Sequence, residues 1–316
     1  MEIKFSERRG TVEIRIQREH DGMLLRAYLK QVLGLSSKMI KHIKFMPGGM
    51  TVNGSPATVR YCLQTDDHLS LALEDTESAP IEAVDLPIEI LFEDADLVVP
   101  AKPADMPTHP SCDHYNDTVA NALAFRYAES GKPFVFRPIN RLDRNTSGLL
   151  LIARNRPTAA TLTKAMQSGE IRKSYLAVLD GEMPLGEGEI NACLHRTAES
   201  IILREVCSPD APDAAPSLTK YRVLAATNGH TLVRAYPLTG RTHQLRVHFA
   251  SIGHPITGDD LYGTPSPLIG RHALHAHTLS FPHPKTGERM TLTAPLPPDL
   301  CQLVKACFPC LSPTLL

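Results

Sequence analysis

One carboxylate, Asp143, stands between two arginines, Arg141 and Arg144, in the stretch Arg137 to Leu151, RPINRLDRNTSGLLL. Nearby positive charge favours the ionised form of a carboxylate. An ionised Asp at the lip of a buried strand can act as a nucleophile or stabilise a developing positive charge. The same spacing also suits an ion pair that fixes a turn, and both readings stand on this stretch alone. A polar turn follows at Asn145, Thr146, Ser147 and Gly148. The apolar run Leu149 to Ala153 then predicts a buried strand.

A second chemically dense block is Leu238 to Tyr262, LTGRTHQLRVHFASIGHPITGDDLY. Thr242 is expected to cap a helix with Leu245, Phe249 and Ile252 as its buried stripe, stopped by Gly253 and Pro255. Arg241, Thr242 and His243 would then crowd a helix N-terminus, where amides and basic side chains can hold a phosphate. Arg246 lies one turn in and off the stripe, so it can point to a neighbouring site. An ordinary charged helix face is the plainer reading. Between the two blocks, IRKSYLAVL alternates. On a strand, Ile171, Lys173, Tyr175, Ala177 and Leu179 share one face.

Five histidines (His243, His248, His272, His275 and His277) include an H-x-x-H-x-H run. No Cys or Glu cluster completes a tetrahedral set, and the single Cys307-x-x-Cys310 pair does not supply four ligands, so no metal is expected. There is no glycine-rich phosphate loop and no dinucleotide fingerprint.

These residues need elements to position them. At 316 residues two domains are expected. The formal net charge is only −1, but it is unevenly spread. Residues 1–60 carry eleven Lys/Arg against five Asp/Glu, whereas residues 61–101 carry none against eleven. A basic module before an acidic connector fits an anionic partner, or simply a solvated basic face. The start, MEIKFSERRG, has no apolar signal region, and no run of about 18 apolar residues could span a membrane. Seven cysteines, an odd number, suit free thiols in a reducing cytoplasm. The expected divisions are 1–76 as a small basic module, 77–88 as an acidic linker, 89–303 as the catalytic domain and 304–316 as a tail.

In the first module Val12 to Ile16 alternates as an edge strand would, and Leu24 to Val32 has helical spacing. A second helix is expected from Ser36 or Ser37, carrying Lys38, Lys41, His42 and Lys44 on its open face. Asn53-Gly54 signals a hairpin. In the second domain, three prolines between Ala101 and Ser111 hold an extended loop that carries Lys102 and His109. Asp117 to Tyr127 reads as a helix. A further helix has Asn155 as its cap, Pro157 in its first turn and Gly169 at its end. Hairpins are expected at Ile190 to Val206 and around Phe281 to Glu288.

Taken in order, these blocks resemble the RluA-type pseudouridine synthases. R-L-D-x-x-T-S-G-L-L resembles that family's central motif, whose Asp is catalytic, which implies this role for Asp143. K-x-Y-x-A resembles a motif whose tyrosine lies against the target base, here Tyr175, with Lys173 beside it as a substrate-binding residue. T-G-R-T-H-Q-L-R-V-H resembles a third motif, which implies that Arg246 pairs with Asp143 and Arg241 touches RNA backbone. Leu274-His275-Ala276 resembles the final motif, with Leu274 closing an apolar floor under the base. The proline-rich loop resembles the first motif, with Lys102 and His109 facing substrate, and Arg141 joins them. Two positions depart from the pattern: Asn140 replaces the usual His, and Asp105 stands where Gly is commoner.

The matches run from about residue 97 to residue 298. They imply an α+β fold with a mixed, largely antiparallel sheet, flanking helices and a cleft. The N-terminal module resembles the alpha-L RNA-binding module of a small-subunit ribosomal protein, with Lys38, Lys41 and Lys44 toward RNA. The implied reaction is an isomerisation of uridine in ribosomal or transfer RNA, needing no cofactor, by a cytoplasmic protein that is monomeric by default. Two other functions stay open at this point. One is a catalytically silent RNA-binding protein of ribosome assembly. The other is a glycoside hydrolase, which would need a second acid that none of these motifs supplies.

Overall fold

The structure is a computed structural model that describes residues 3–5, 11–33, 35, 40, 43–44, 46, 48–72, 81–111, 113–128, 134–200 and 202–311. It divides into two compact units, Met1–Ala79 and Pro80–Leu316.

The first unit is a five-stranded antiparallel sheet: β1 (Ile3–Phe5), β2 (Thr11–Arg15), β3 (Met50–Val52), β4 (Ser55–Pro56) and β5 (His68–Ala72), in the order β1-β2-β5-β3-β4. β2 was expected at an edge but lies between β1 and β5. Its alternation comes from burial on one side only, with Val12 and Ile14 inside and Glu13 and Arg15 outside, and an interior strand with one solvated face shows the same pattern. The helix α1 (Leu25–Ala27) runs on into a π turn, Tyr28–Val32. It buries Leu25, Tyr28 and Leu29 against Ile14, Ile16, Leu69 and Leu71. Asn53 and Gly54 both have positive φ, as a two-residue hairpin with the sheet's twist requires. Lys44 is exposed; Lys38 and Lys41 lie outside the described residues.

The second unit is built on one twelve-stranded sheet. Its elements in chain order are β6 (Glu89–Glu93), β7 (Leu97–Lys102), α2 (Val119–Tyr127), β8 (Arg137–Pro138), β9 (Ser147–Leu149), β10 (Ile152–Ala153) and α3 (Arg156–Gln167). Then come β11 (Arg172–Asp180), β12 (Gly186–Arg196), β13 (Arg204–Cys207), β14 (Ala215–Thr227), β15 (His230–Pro237), α4 (Gln244–Ser251), β16 (Leu274–Pro282), β17 (Arg289–Thr293) and α5 (Pro298–Cys307). The strand order is β13-β12-β14-β15-β11-β16-β9-β7-β10-β8, with β17 on β16 and β6 on β7. Every pair is antiparallel except β9 with β16. The fold is therefore the mixed, largely antiparallel α+β class implied by the sequence.

Both faces of the sheet are covered. α3 supplies Leu162 and Ala165 to one face, over Leu97, Val99, Leu149 and Leu151. α2, α4 and α5 supply Val119, Leu123, Leu245, Phe249, Leu300 and Leu303 to a second, larger core that includes Val98, Ile152 and Tyr175. This explains why the start of β7, Leu-Val-Val-Pro, is buried throughout instead of alternating. Along β16, Leu274 and Ala276 join one core and Leu279 and Phe281 the other, and the pairing with β11 shifts register beside Ser174/Tyr175. The Asn155 cap read from sequence forms as expected, and Thr118 adds a cap that was not read. Thr118 and Asn121 make a capping box, and the Asn155 carboxamide oxygen accepts the Thr158 N–H at 2.9 Å.

Three expectations are corrected. Leu149 to Ala153 is not one strand but two, β9 and β10. They are separated because the Leu150 N–H turns to Pro100 O. The linker's second half is docked: Val84 N–H bonds Asn121 O, the Asn121 amide bonds Glu82 O, and Leu86 and Ile88 pack on the core. The boundary at 303/304 cuts α5, whose Val304 and Cys307, with the following Phe308, are core residues.

Candidate active site

Asp143 sits in the loop between β8 and β9, at the base of a cleft of about 960 Å³. Tyr175 from β11 and Leu274 from the start of β16 give the cleft an apolar floor, and Arg246 from α4 lies beside the carboxylate. His109, Arg141, Lys173 and Arg241 also line it. Eight of the nine residues expected to act on substrate thus converge from separate stretches of chain.

The ninth, Lys102, does not reach the cleft. It is 1% exposed, and its ammonium donates to the carbonyls of Pro103, Met106 and Arg144 at 2.7–2.8 Å. Burial first, and then Arg271, bring its pKa down to about 7, against the pull of Asp143 and Asp105. Three acceptors at these distances match the three N–H bonds of an ammonium. Lys102 is a clamp on the loop.

The Asp143 loop is held residue by residue. Leu142 exchanges two hydrogen bonds with the Thr108 hydroxyl, Arg144 O takes Lys102, and Asn145 O takes the Arg271 guanidinium at 2.9 Å. The hydroxyl of Thr146 pairs with His272 at 2.8 Å, and that of Ser147 with His275 at 2.9 Å. Gly148 follows at φ +113°, where a Cβ would stand 2.2 Å from Ala276 O. Only glycine lets β9 approach β16 this closely. Asn140 bridges the break between β9 and β10, since its side chain accepts the Leu151 N–H and donates to Leu149 O. Asp105 takes the left-handed φ of +61° that favours glycine, and its carboxylate holds the Arg144 guanidinium. Short Asp side chains tolerate that region.

The charge beside Asp143 therefore does not come from Arg144. It comes from Arg246, whose Nη1 is 3.9 Å from Asp143 Oδ2. Arg246 makes its shorter contacts with Asp259: Nε to Oδ2 at 2.7 Å and Nη2 to Oδ1 at 2.6 Å. Asp259 Oδ1 also accepts the amides of Leu261 and Tyr262. Burial works against the Arg246 charge, but pairing with Asp259, and then with Asp143, outweighs it and raises its pKa. The Tyr262 ring lies 5.2 Å from the guanidinium, and its hydroxyl shares a hydrogen bond with His243. Asp259, Tyr262 and Arg271 escaped the sequence reading, because nothing local distinguishes them from ordinary surface polar residues, and His272 entered it only as one of five histidines weighed for a metal.

The turn before α4 also differs from expectation. Thr242 does not cap the helix. His243 occupies the N-cap at φ 56°, and Gln244 uses both ends of its amide to bind Thr239, the Arg241 N–H, Leu218 O and Thr219. That places Arg241 on the cleft wall by a side-chain brace rather than by a phosphate cradle. Ile252, expected in the buried stripe, is exposed just past the helix end. Burial raises the Tyr175 pKa, with the Asp143 charge adding to it, so the phenol stays neutral.

A carboxylate in a concave cleft lined by Tyr175 and Leu274 and by the basic Arg141, Lys173 and Arg241 suits an anionic ligand. Residues 96–251 match the family described as RNA pseudouridylate synthase. An uncharacterised RNA pseudouridine synthase, YjbO of Bacillus subtilis, is 38% identical over 86% of this chain and 95% of its own length. The ribosomal large subunit pseudouridine synthase D of Vibrio parahaemolyticus is 33% identical over 83% of each chain. Among solved structures, human RNA pseudouridylate synthase domain containing 1 superposes with a TM-score of 0.57 at 28% identity, covering 71% of this chain and 96% of that one. The chain belongs to the RNA pseudouridylate synthase family, whose members are isomerases.

Proposed function

We propose that this chain converts a uridine of ribosomal RNA to pseudouridine in the Asp143 cleft. The observation that carries this reading is Asp143 itself, held rigidly beside Arg246 over a floor of Tyr175 and Leu274. The ribosomal substrate is supported by the relatives named as large-subunit synthases.

The reaction breaks the bond from the sugar C1′ to uracil N1, turns the base, and joins C1′ to C5. N1 gains a proton, and the C5 hydrogen is released. Bond cleavage develops positive charge on the ribose, which an adjacent carboxylate stabilises. Asp143 takes that role, and Arg246 orients it. A base buried in a helix is out of reach, so the nucleotide is flipped into the cleft. Tyr175 then stacks on the base, worth ~1–3 kcal/mol by analogy with other base–aromatic contacts. Arg141, Lys173, Arg241 and His109 hold the flanking backbone, and the basic N-terminal unit, including Lys44, adds sequence-independent RNA affinity.

The test uses RNA from cells lacking this protein, with uridine tritiated at C5. Wild type should release tritium, and Asp143→Asn should reduce release by at least about a thousandfold while still binding RNA. Full release by the variant removes Asp143 from the mechanism. No release by wild type with intact binding leaves a non-catalytic RNA-binding protein.

A further inference from the structure

The chemistry of the cleft separates two charges, and the roles given above answer one of them. When the bond from C1′ to N1 breaks, its electron pair leaves with the base. The sugar turns positive beside Asp143, and the uracil turns negative over N1 and its carbonyl oxygens O2 and O4. Tyr175 stacks on the face of the base, and Arg246 is engaged by Asp259 and Asp143. Neither is assigned to the oxygens. A fixed donor aimed at charge that develops in the transition state lowers the barrier.

His243 lines the same cleft and has no role above. Its backbone takes a left-handed φ of 56° at the start of α4, a costly conformation that clusters at functional sites. Nδ1 of its ring lies 2.8 Å from the Tyr262 hydroxyl. That hydroxyl also accepts the Arg204 N–H at 3.0 Å. Burial raises the Tyr262 pKa, so the phenol keeps its proton. Among the described residues, Nδ1 of His243 is the acceptor for it. A ring that accepts at Nδ1 carries its own hydrogen on Nε2. Burial lowers the His243 pKa, together with Arg246 and Arg204 and against Asp143 and Asp259, so the ring is neutral. Tyr262 is not part of the cleft wall, and Nε2 lies on the other flank of the ring from Nδ1. Nε2 has no partner among the described residues, and it is not one of the fully buried polar atoms left without one. The chain from Arg204 through Tyr262 to His243 thus ends in a neutral N–H of fixed tautomer at the cleft.

We propose that His243 donates its Nε2–H to a carbonyl oxygen of the uracil, O2 or O4, and stabilises the base as it leaves C1′, and that Tyr262 is a positioning residue that fixes the tautomer. This rests on the reading of the cleft as a uridine site and deepens it. His243 keeps its hydrogen throughout. The C1′–N1 electron pair passes to the uracil, and the hydrogen bond strengthens as that charge grows. After the base has turned, an electron pair at C5 forms the new bond to C1′; C5 then loses its hydrogen and N1 gains one. A cation at this position would compete with Arg246 for Asp143, and a neutral N–H does not.

The test uses the full-length protein and ribosomal RNA transcripts made with C5-tritiated uridine, 2-thiouridine or 4-thiouridine, with tritium release read under single turnover. His243→Asn tolerates the left-handed backbone but is too short to place a donor where Nε2 stands. On uridine it should lower the rate about 10²- to 10³-fold, with RNA affinity within about threefold of wild type. His243→Gln, whose amide reaches farther, should recover part of the loss. Sulfur is a weak acceptor. With one of the two thiolated transcripts the gap between wild type and His243→Asn should therefore close to within about threefold, and with the other it should remain. Tyr262→Phe should lower kcat more than it raises KM. Nitrogen NMR of labelled histidine should place the His243 hydrogen on Nε2 in wild type and divide it between both nitrogens in Tyr262→Phe.

Release by His243→Asn at the wild-type rate overturns the proposal. An equal gap on all three transcripts shows a purely structural histidine and also overturns it, as does a hydrogen on Nδ1 in wild type. Asp143→Asn in parallel reports separately on the reaction. An inactive Asp143→Asn beside an unimpaired His243→Asn removes the donor and leaves the proposed chemistry standing, whereas no release by wild type removes both.

Discussion

Asp259 and Asp260 are identical neighbours with opposite environments. Asp259 is fully buried against Arg246, while the Asp260 side chain is 66% exposed. With Nε and Nη2 taken by Asp259, Arg246 is left with Nη1 toward Asp143. Asp259→Asn should therefore leave a buried guanidinium half-paired and cost about 3–5 kcal/mol, with a fall in kcat larger than the change in KM. Asp260→Asn should stay within about 0.5 kcal/mol of wild type. Urea unfolding of the two variants side by side checks this, and equal midpoints would show that the pair does not carry the orientation. Asp143 could be singled out because the motif R-L-D-x-x-T-S-G-L-L that carries the resemblance is contiguous in sequence. Asp259 could not be, because its partner lies across a loop and the sequence offers two equivalent acids.

The loop from Leu142 to Ser147 shows how elements build precision without a helix or strand of their own. Its carbonyls and hydroxyls are taken up by Thr108, Lys102, Arg271, His272 and His275. Lys102→Met keeps the length of the side chain but leaves three carbonyls unpaired. It should cost about 3 kcal/mol or more and lower kcat, although the residue does not line the cleft. A Lys102→Met enzyme with unchanged turnover would show that the clamp does not position the Asp143 loop. The sequence context, a lysine followed by proline in a proline-rich stretch, reads as an exposed loop, and burial under a neighbouring loop leaves no local trace. Gly148→Ala should be worse tolerated than either neighbour's conservative change, because backbone rather than a movable side chain opposes the new methyl. A soluble, fully active Gly148→Ala protein would contradict the close β9–β16 approach.

At the scale of the molecule, charge and protonation set the working range. His248, His275 and His277 are buried, and burial lowers each pKa to about 4; His272 is brought to about 3. An unfolded histidine titrates near 6.5, so the unfolded chain takes up protons that the folded one refuses. The stability these groups contribute is complete above about pH 6.5 and is lost as pH falls toward 4. The loss is at most about 1.4 kcal/mol per pH unit for each of them. Thermal melts should show Tm falling between pH 7 and pH 5, and a flat profile would place water or solvent around these rings. Removing residues 1–79 at the boundary between the units should leave a folded remainder whose RNA binding depends less steeply on salt, by about one unit of slope for each phosphate no longer neutralised. An unchanged slope would assign the RNA affinity to the cleft alone. Two units were expected from the length of the chain, and the antiparallel class from the resemblance that its motifs carry. The order of the twelve strands was not legible, since sequence periodicity says nothing about which strands meet.

The parallel pairing of β9 with β16 also sets the order of events during synthesis. Ser147 pairs with His275, and the bonds to Arg271, His272 and His275 that fix the Asp143 loop all come from that later segment. Contacts this far apart in the chain form late, since a long loop must close first. A nascent chain on the ribosome therefore carries its carboxylate on a loop without those anchors until β16 has emerged. Competence toward RNA should come only after β16 has been synthesised, and products truncated before it should be inactive.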